Sequence, residues 1–263
     1  MDRKPIELNI ETYPDTVADY MKDSALYDSS CSPQAKVTFI DKDKGYFLKE
    51  AADGTLKTEA LMTGYMHSLR LSGEVLYYGS LDGKDYLLTR KIQGEDCTHP
   101  DHLAEPERLC DTIASSLREL HEMDGKDCPV QDRIVTYTKA VKRGFDRSSY
   151  EPDLFRGIWE FGSFSEAKYA AQEGLGLLKK EVLLHGDYCL PNIILDHWKL
   201  SGYIDLDCSG IGDRHIDVVW GIWTLCYNLG TAGHTSRFMD AYGRDVIEPE
   251  KLRMIAAMEM IGG

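Results

Sequence analysis

The run His185-Gly186-Asp187-Tyr188-Cys189-Leu190-Pro191-Asn192, with Asp205 beyond the next apolar segment, holds the residue types that phosphoryl transfer requires. That reaction needs little covalent help from a protein. It needs a carboxylate to orient a hydroxyl and accept its proton, and it needs an amide oxygen and a second carboxylate to hold the Mg²⁺ that offsets phosphate charge. Asp187 fits the first role, and Asn192 and Asp205 fit the other two.

Such groups work only if their backbone is held. Residues 181–184 lead in, 192–196 lead out and 200–205 return, and each reads as a short buried strand next to a tight turn. Asp187 is therefore expected in a loop anchored at both ends, where a carboxylate keeps its position while facing a cleft. Asp and Asn also cap turns without doing chemistry, and either residue alone is open to that reading.

Together, His185-Gly186-Asp187, Asn192 and Ile204-Asp205-Leu206-Asp207 resemble the catalytic signature of the aminoglycoside phosphotransferases, antibiotic kinases with a protein-kinase-like fold. Gly186 stands where protein kinases carry Arg, and Leu206-Asp207 stands where they carry Phe-Gly. The resemblance implies that His185 supports the catalytic loop and that Asp217, in Ser209-Gly210-Ile211-Gly212-Asp213-Arg214-His215-Ile216-Asp217, does the same. For Asp217, a helix N-cap is the competing role.

A kinase-like fold implies a lysine on an upstream hairpin and a glutamate on the following helix. Residues 35–40 and 46–49 read as that hairpin around a turn at 41–45, which makes Lys49 the lysine that would contact the nucleotide phosphates. A helix over about 56–69, with Leu61, Tyr65 and Leu69 on one face, places Glu59 as its partner. Otherwise Lys49 is an ordinary charge at a strand edge. Neither a Gly-x-Gly-x-x-Gly loop nor a Gly-x-x-x-x-Gly-Lys-Ser/Thr loop occurs in the first fifty residues. The stretch 29–37 resembles the shorter nucleotide loop of aminoglycoside kinases, with Ser32 as the candidate phosphate ligand and a plain Ser-Pro turn as the alternative. A second hairpin, 75–78 and 85–91 around Asp82-Gly83, leads to Ile92-Gln93-Gly94. The resemblance implies that the backbone of Arg90 and Ile92 binds the adenine edge, with Gly94 as an interlobe hinge.

Beyond Gly94 the periodicity turns helical. Pro106 begins a helix whose Leu109, Ile113, Leu117 and Leu120 share a face up to His121, and further helices are expected over 133–145, 166–180, 216–228, 234–242 and 249–261. The fold class is therefore α+β in two lobes. An N-terminal antiparallel sheet with one helix, residues 1–93, would bind nucleotide, and a larger, mostly helical part, residues 94–263, would carry catalysis and substrate.

The net charge of −14 argues against nucleic acid and anionic membrane as partners and suits a cationic small-molecule substrate. No apolar run is long enough for a membrane span, and seven cysteines without Cys-x-x-Cys spacing suit a reducing cytoplasm. Cys97, His99 and His102 form a weak metal pattern without a fourth ligand. The expected cofactors are ATP, or GTP, and Mg²⁺, and the expected assembly is a monomer or homodimer.

For the acceptor, the candidate acids are Asp207, Glu259 and a segment with Glu151, Asp153 and Glu160, which falls where the family inserts its substrate-binding helices. These three acids also read as a solvated face. Cys208 replaces an Arg that the family often carries, and Glu259-Met260-Ile261-Gly262-Gly263 lacks the family's acidic and aromatic ending, so a deoxystreptamine drug is less expected than the chemistry itself. Trp220, Trp223 and Tyr227, at i, i+3 and i+7, read either as core or as an aromatic face for an amine such as choline. The expected reaction is transfer of the γ-phosphoryl group to a hydroxyl of an aminoglycoside or similar cationic amino-sugar. The alternatives are a kinase of choline, ethanolamine, homoserine or a ketosamine, or a non-catalytic nucleotide-binding protein on the same scaffold.

Overall fold

The computed structural model describes residues 4–31 and 33–262; Ser32, the candidate phosphate ligand, lies outside them. The chain forms two compact units, one built from the chain up to Gly94 together with Ser201–Asp207, the other from Glu95–Leu200 and Cys208 onward. A single cut near residue 94 would have assigned Ser201–Asp207 to the second unit.

The first unit is built on a six-stranded sheet in the order β1-β2-β3-β4-β6-β5. Its strands are β1 (Lys4–Pro5), β2 (Ala25–Asp28), β3 (Lys36–Asp41), β4 (Tyr46–Ala52), β5 (Val75–Leu81) and β6 (Lys84–Arg90), each antiparallel to its neighbours. The β5–β6 connection turns at Asp82-Gly83, where φ angles of 51° and 77° give the twist that a two-residue hairpin requires. Lys49 pairs with Val37 on one side and Leu87 on the other, which makes β4 a central strand and excludes an edge position for Lys49.

Strands β1 and β2 and the helix between them were not expected from the sequence. Helix α1 (Asp15–Met21) buries Val17 and Met21 with Tyr13, Ile40, Leu48 and Leu88 in one core. Helix α2 (Lys57–Ser68) differs from its expected orientation. It turns Glu59, Met62, Thr63 and Met66 inward, while Leu61 is 49% exposed. Met62 and Met66 supply the apolar stripe, and Glu59 is inward because Lys49 offers its carboxylate a partner.

In the second unit, β7 (Glu95–Asp96) is followed by the short α3 (Pro100–Leu103) and by α4 (Pro106–His121), α5 (Arg133–Arg147) and α6 (Phe164–Leu175). Helix α6 stops five residues earlier than expected, at the glycine pair Gly174 and Gly176, whose backbone disfavours helix. Next come β8 (Val182–Leu184), β9 (Ile193–Asp196), β10 (Lys199–Tyr203) and β11 (Gly210–Gly212). Strand β8 pairs with β11, β9 pairs with β7, and β10 carries the chain into the first unit. Helices α7 (Arg214–Leu229), α8 (Thr235–Tyr242) and α9 (Pro249–Ile261) complete the unit. Among the described residues no helix is long and apolar enough to cross a membrane.

Candidate functional site

The first unit gathers one charged cluster. Lys49 Nζ lies 2.8 Å from Glu59 Oε2 and 2.7 Å from Asp205 Oδ1. Burial disfavours the ammonium, but the two carboxylates outweigh it and hold Lys49 firmly protonated. Burial pushes the Glu59 carboxyl up to about 7 against the pull of Lys49, and Asp205 and Asp207 add to the rise. Asp205 is not at a strand end, as the apolar run suggested. Strand β10 stops at Tyr203, Ile204 is 42% exposed, and Asp205 takes the left-handed conformation at φ 60°. Backbone of that kind costs an aspartate free energy and is found where a side chain must be aimed. Leu206 beside it is fully buried and fixes the turn.

The other nucleotide candidates lie in the same unit. Arg90 donates its backbone N–H to the Glu74 carbonyl, 2.9 Å away, so its own carbonyl is the only backbone group it could offer an adenine edge. Its guanidinium lies over the Tyr46 ring and pairs with Glu74. Ile92 is half-buried, and Asp207 is exposed.

The second unit holds the Asp187 loop. Gly186 has φ 89°, and a Cβ there would come within 2.0 Å of the Cys208 carbonyl oxygen, so a side chain such as Arg is excluded. Asn192 donates through Nδ2 to the Asp187 carbonyl at 3.0 Å and to Asp187 Oδ2 at 2.9 Å. Its amide oxygen is thereby left for a hard cation. Asp187 N–H donates to His185 Nδ1, and Leu190 N–H donates to Thr224 Oγ1 at 3.0 Å.

Asp217, fully buried on α7, anchors this loop. It accepts the His185 N–H at 2.8 Å and the Gly186 N–H at 2.7 Å. The N-cap of α7 is Asp213, which accepts the His215 N–H, so Asp217 has no part in the cap. The sequence reading missed His121, whose Nε2 lies 3.1 Å from Asp217 Oδ2 while its Nδ1 lies 2.7 Å from the Tyr242 hydroxyl. Burial lowers the His121 pKa, so a neutral imidazole donates to Asp217 and accepts from Tyr242. A signal existed: His121 continues the buried stripe of Cys110, Ala114 and Leu117, and a polar residue on a core stripe demands a partner.

The remaining candidates fall in three places within the second unit. Glu259 is buried and accepts a 2.8 Å hydrogen bond from the Tyr137 hydroxyl. Burial pushes its carboxyl up to about 7, against the hydrogen bonds from Tyr137 and Trp220, and the charge of Asp187 raises it further. Glu151, Asp153 and Glu160 are exposed; Asp153 pairs with Arg156 and Glu160 accepts the Gly157 N–H. Trp223 is half-buried and Tyr227 is 72% exposed, so the aromatic stripe is not core.

Among the described residues, Cys97, His99 and His102 do not converge as ligands. Glu181, Asp213 and His215 do, but their charges are already met: Lys251 Nζ lies 2.5 Å from Asp213 Oδ2, and Arg214 pairs with Glu181.

A sequence model of the phosphotransferase enzyme family matches residues 34–255. The chain belongs to that family. It is 45% identical over 259 residues to a probable aminoglycoside 3'-phosphotransferase of Lactococcus lactis subsp. lactis (strain IL1403), covering 98% of each chain. It is 30% identical to an aminoglycoside 3'-phosphotransferase of Niallia circulans over 76% of each chain. Aminoglycoside phosphotransferase APH(3'')-Id of Streptomyces rimosus shares the fold at a TM-score of 0.75 and 19% identity, over 94% of this chain and 96% of that one. The same enzyme has been solved with ADP and streptomycin, and that structure has a TM-score of 0.73 at 18% identity, over 97% of this chain and 99% of that one. The α+β kinase-like architecture expected from the sequence is the one observed.

Proposed function

We propose that this phosphotransferase is an ATP- and Mg²⁺-dependent aminoglycoside 3'-kinase, with the first unit as nucleotide lobe and the second as catalytic and acceptor lobe. The observation that carries the reading is the near full-length 45% identity to a probable aminoglycoside 3'-phosphotransferase. The geometry supports it. Asp187 is the base, and the Asn192 amide holds its carboxylate in one rotamer, so that one oxygen is oriented to accept the proton of an acceptor hydroxyl. Asp217 and His121 fix the backbone on which Asp187 stands. Lys49, steered by Glu59, supplies the positive charge that meets the α- and β-phosphates.

For the metal, the donors are hard oxygens: the Asn192 amide oxygen, left over by its hydrogen bonds to Asp187, and the Asp205 oxygen not engaged by Lys49. Hard oxygens of this kind suit Mg²⁺, which when bound would neutralise phosphate charge and orient the γ-phosphoryl group. The acceptor reading is supported by the relatives' substrates and by the exposed acid Glu151 in a chain of net charge −14.

The test is coupled ATP turnover with Mg²⁺ against kanamycin, neomycin, choline, ethanolamine and homoserine, for the wild type and Asp187→Asn. Turnover with kanamycin or neomycin, reduced by about a hundred- to ten-thousand-fold in the variant while ATP still binds, is the expected result. Activity confined to choline or another small amine would overturn the acceptor assignment, and undiminished turnover in the variant would overturn the role of Asp187.

A further inference from the structure

An exposed aromatic pair stands beside the Asp187 loop. On α7 the rings of Trp223 and Tyr227 stack at 5.1 Å and 22°, and Trp220 meets Trp223 edge-on at 5.2 Å. Tyr227 has one face against the indole and is 72% exposed. Large aromatic faces presented to water in this way cost free energy unless something covers them part of the time.

Three observations fix where the pair lies. Thr224, adjacent to Trp223 in sequence, accepts the Leu190 N–H of the Asp187 loop. Trp220, one turn back, packs against Trp223 on one side and Phe155 of the acid-bearing segment on the other. The Trp223 indole N–H donates to the Leu154 carbonyl, and the Glu151 N–H donates to the Met260 carbonyl, so the acid-bearing segment is pinned to both α7 and α9. Fully buried Phe155 locks that segment from inside, against Trp159 and Trp220. Among the described residues, Asp153 pairs with Arg156 whereas Glu151 forms no ion pair.

We infer that the Trp223–Tyr227 stack is a platform for one six-membered amino-sugar or aminocyclitol ring of the acceptor, whose ammonium groups face Glu151. The inference rests on the kinase reading above and names the specificity element of that site. Two nearly parallel rings offer one flat face. A quaternary ammonium is held instead by several faces arranged around it, so the geometry favours a ring over choline. A pyranose or cyclitol ring covers such a face with its axial C–H groups while its equatorial ammonium groups reach outward to Glu151.

The test measures KM for kanamycin and for ATP, with kcat, in the wild type and in Tyr227→Ala, Tyr227→Phe and Trp223→Phe. Tyr227→Ala is expected to raise the kanamycin KM about three- to tenfold with the ATP KM unchanged, and Tyr227→Phe, which keeps the face, to restore it. Trp223→Phe keeps a ring but loses the bond to Leu154, and an intermediate rise is expected. An unchanged kanamycin KM in Tyr227→Ala overturns the platform, as does a Tyr227→Phe variant as impaired as the alanine. A parallel rise for ATP and kanamycin also overturns it, because an acceptor platform acts on kanamycin alone. A wild type that phosphorylates no aminoglycoside overturns the kinase reading itself, and the platform with it.

Discussion

Asp205 and Asp217 are both aspartates held by nitrogen donors, and they are held in opposite ways. The Asp205 side chain is 44% exposed, and its partner is the Lys49 ammonium, which Glu59 shares. Asp217 is fully buried, and its partners are two backbone N–H groups and a neutral imidazole. Lys49 is mostly buried but Asp205 is half-open to water, so on the kinase reading proposed above their pair would give way to Mg²⁺ and phosphate. A buried network of hydrogen bonds has no competing water, so it fixes a backbone in one arrangement. The charged cluster is suited to changing partners, and the Asp217 network to holding the Asp187 loop still.

The largest expected effect breaks the buried side of that contrast. Asp217→Ala strands three donors and is expected to destabilise the fold by about 3–5 kcal/mol. Asp205→Ala is expected to cost less than about 1 kcal/mol while weakening Mg·ATP affinity. Urea unfolding of both variants checks this, and equal stability losses would erase the distinction.

Glu259 tests burial a second way, through pH. Its carboxyl, pushed up to about 7, holds its proton in the folded chain across a range where the unfolded chain has lost it. The stability it contributes is therefore present below about pH 4.5 and is lost as pH rises through 7. Glu259→Gln is expected to gain on the wild type by on the order of 1–3 kcal/mol between pH 5 and pH 8. A stability difference between the two proteins that stays constant over that range would contradict the assignment.

On the charged side, Lys49→Ala is expected to raise the ATP KM about tenfold or more. Stability should change little, because Glu59 can take up a proton once its cation is gone. An unchanged ATP KM would remove Lys49 from the nucleotide site. The smallest effect sharpens the buried network: Tyr242→Phe deletes the donor to His121 Nδ1 and is expected to cost about 1 kcal/mol. No measurable change would show that water replaces the hydroxyl there.

What the sequence disclosed follows the same division. The Asp187–Asn192 spacing is a local pattern, Lys49 stands out only through the resemblance which that spacing carries, and the long amphipathic helices announce themselves by period. Residues whose role depends on distant partners were harder to read. His121 meets Asp217 across 96 positions of sequence, and the inward face of α2 is set by Lys49 rather than by its leucines. The four-residue β2 and the seven-residue α1 are too short to show periodicity and are formed by packing on the sheet. The aromatic stripe had the spacing of a core face, and only the observed exposure of Tyr227 separates it from one.

The most direct test of the central claim is product analysis by mass spectrometry and ³¹P NMR after incubation with Mg·ATP and either kanamycin or its 3'-deoxy analogue. One phosphoryl group on the 3'-oxygen of kanamycin, with the 3'-deoxy analogue unmodified, is the predicted result. Equal phosphorylation of both compounds would place the chemistry at another hydroxyl and contradict the account.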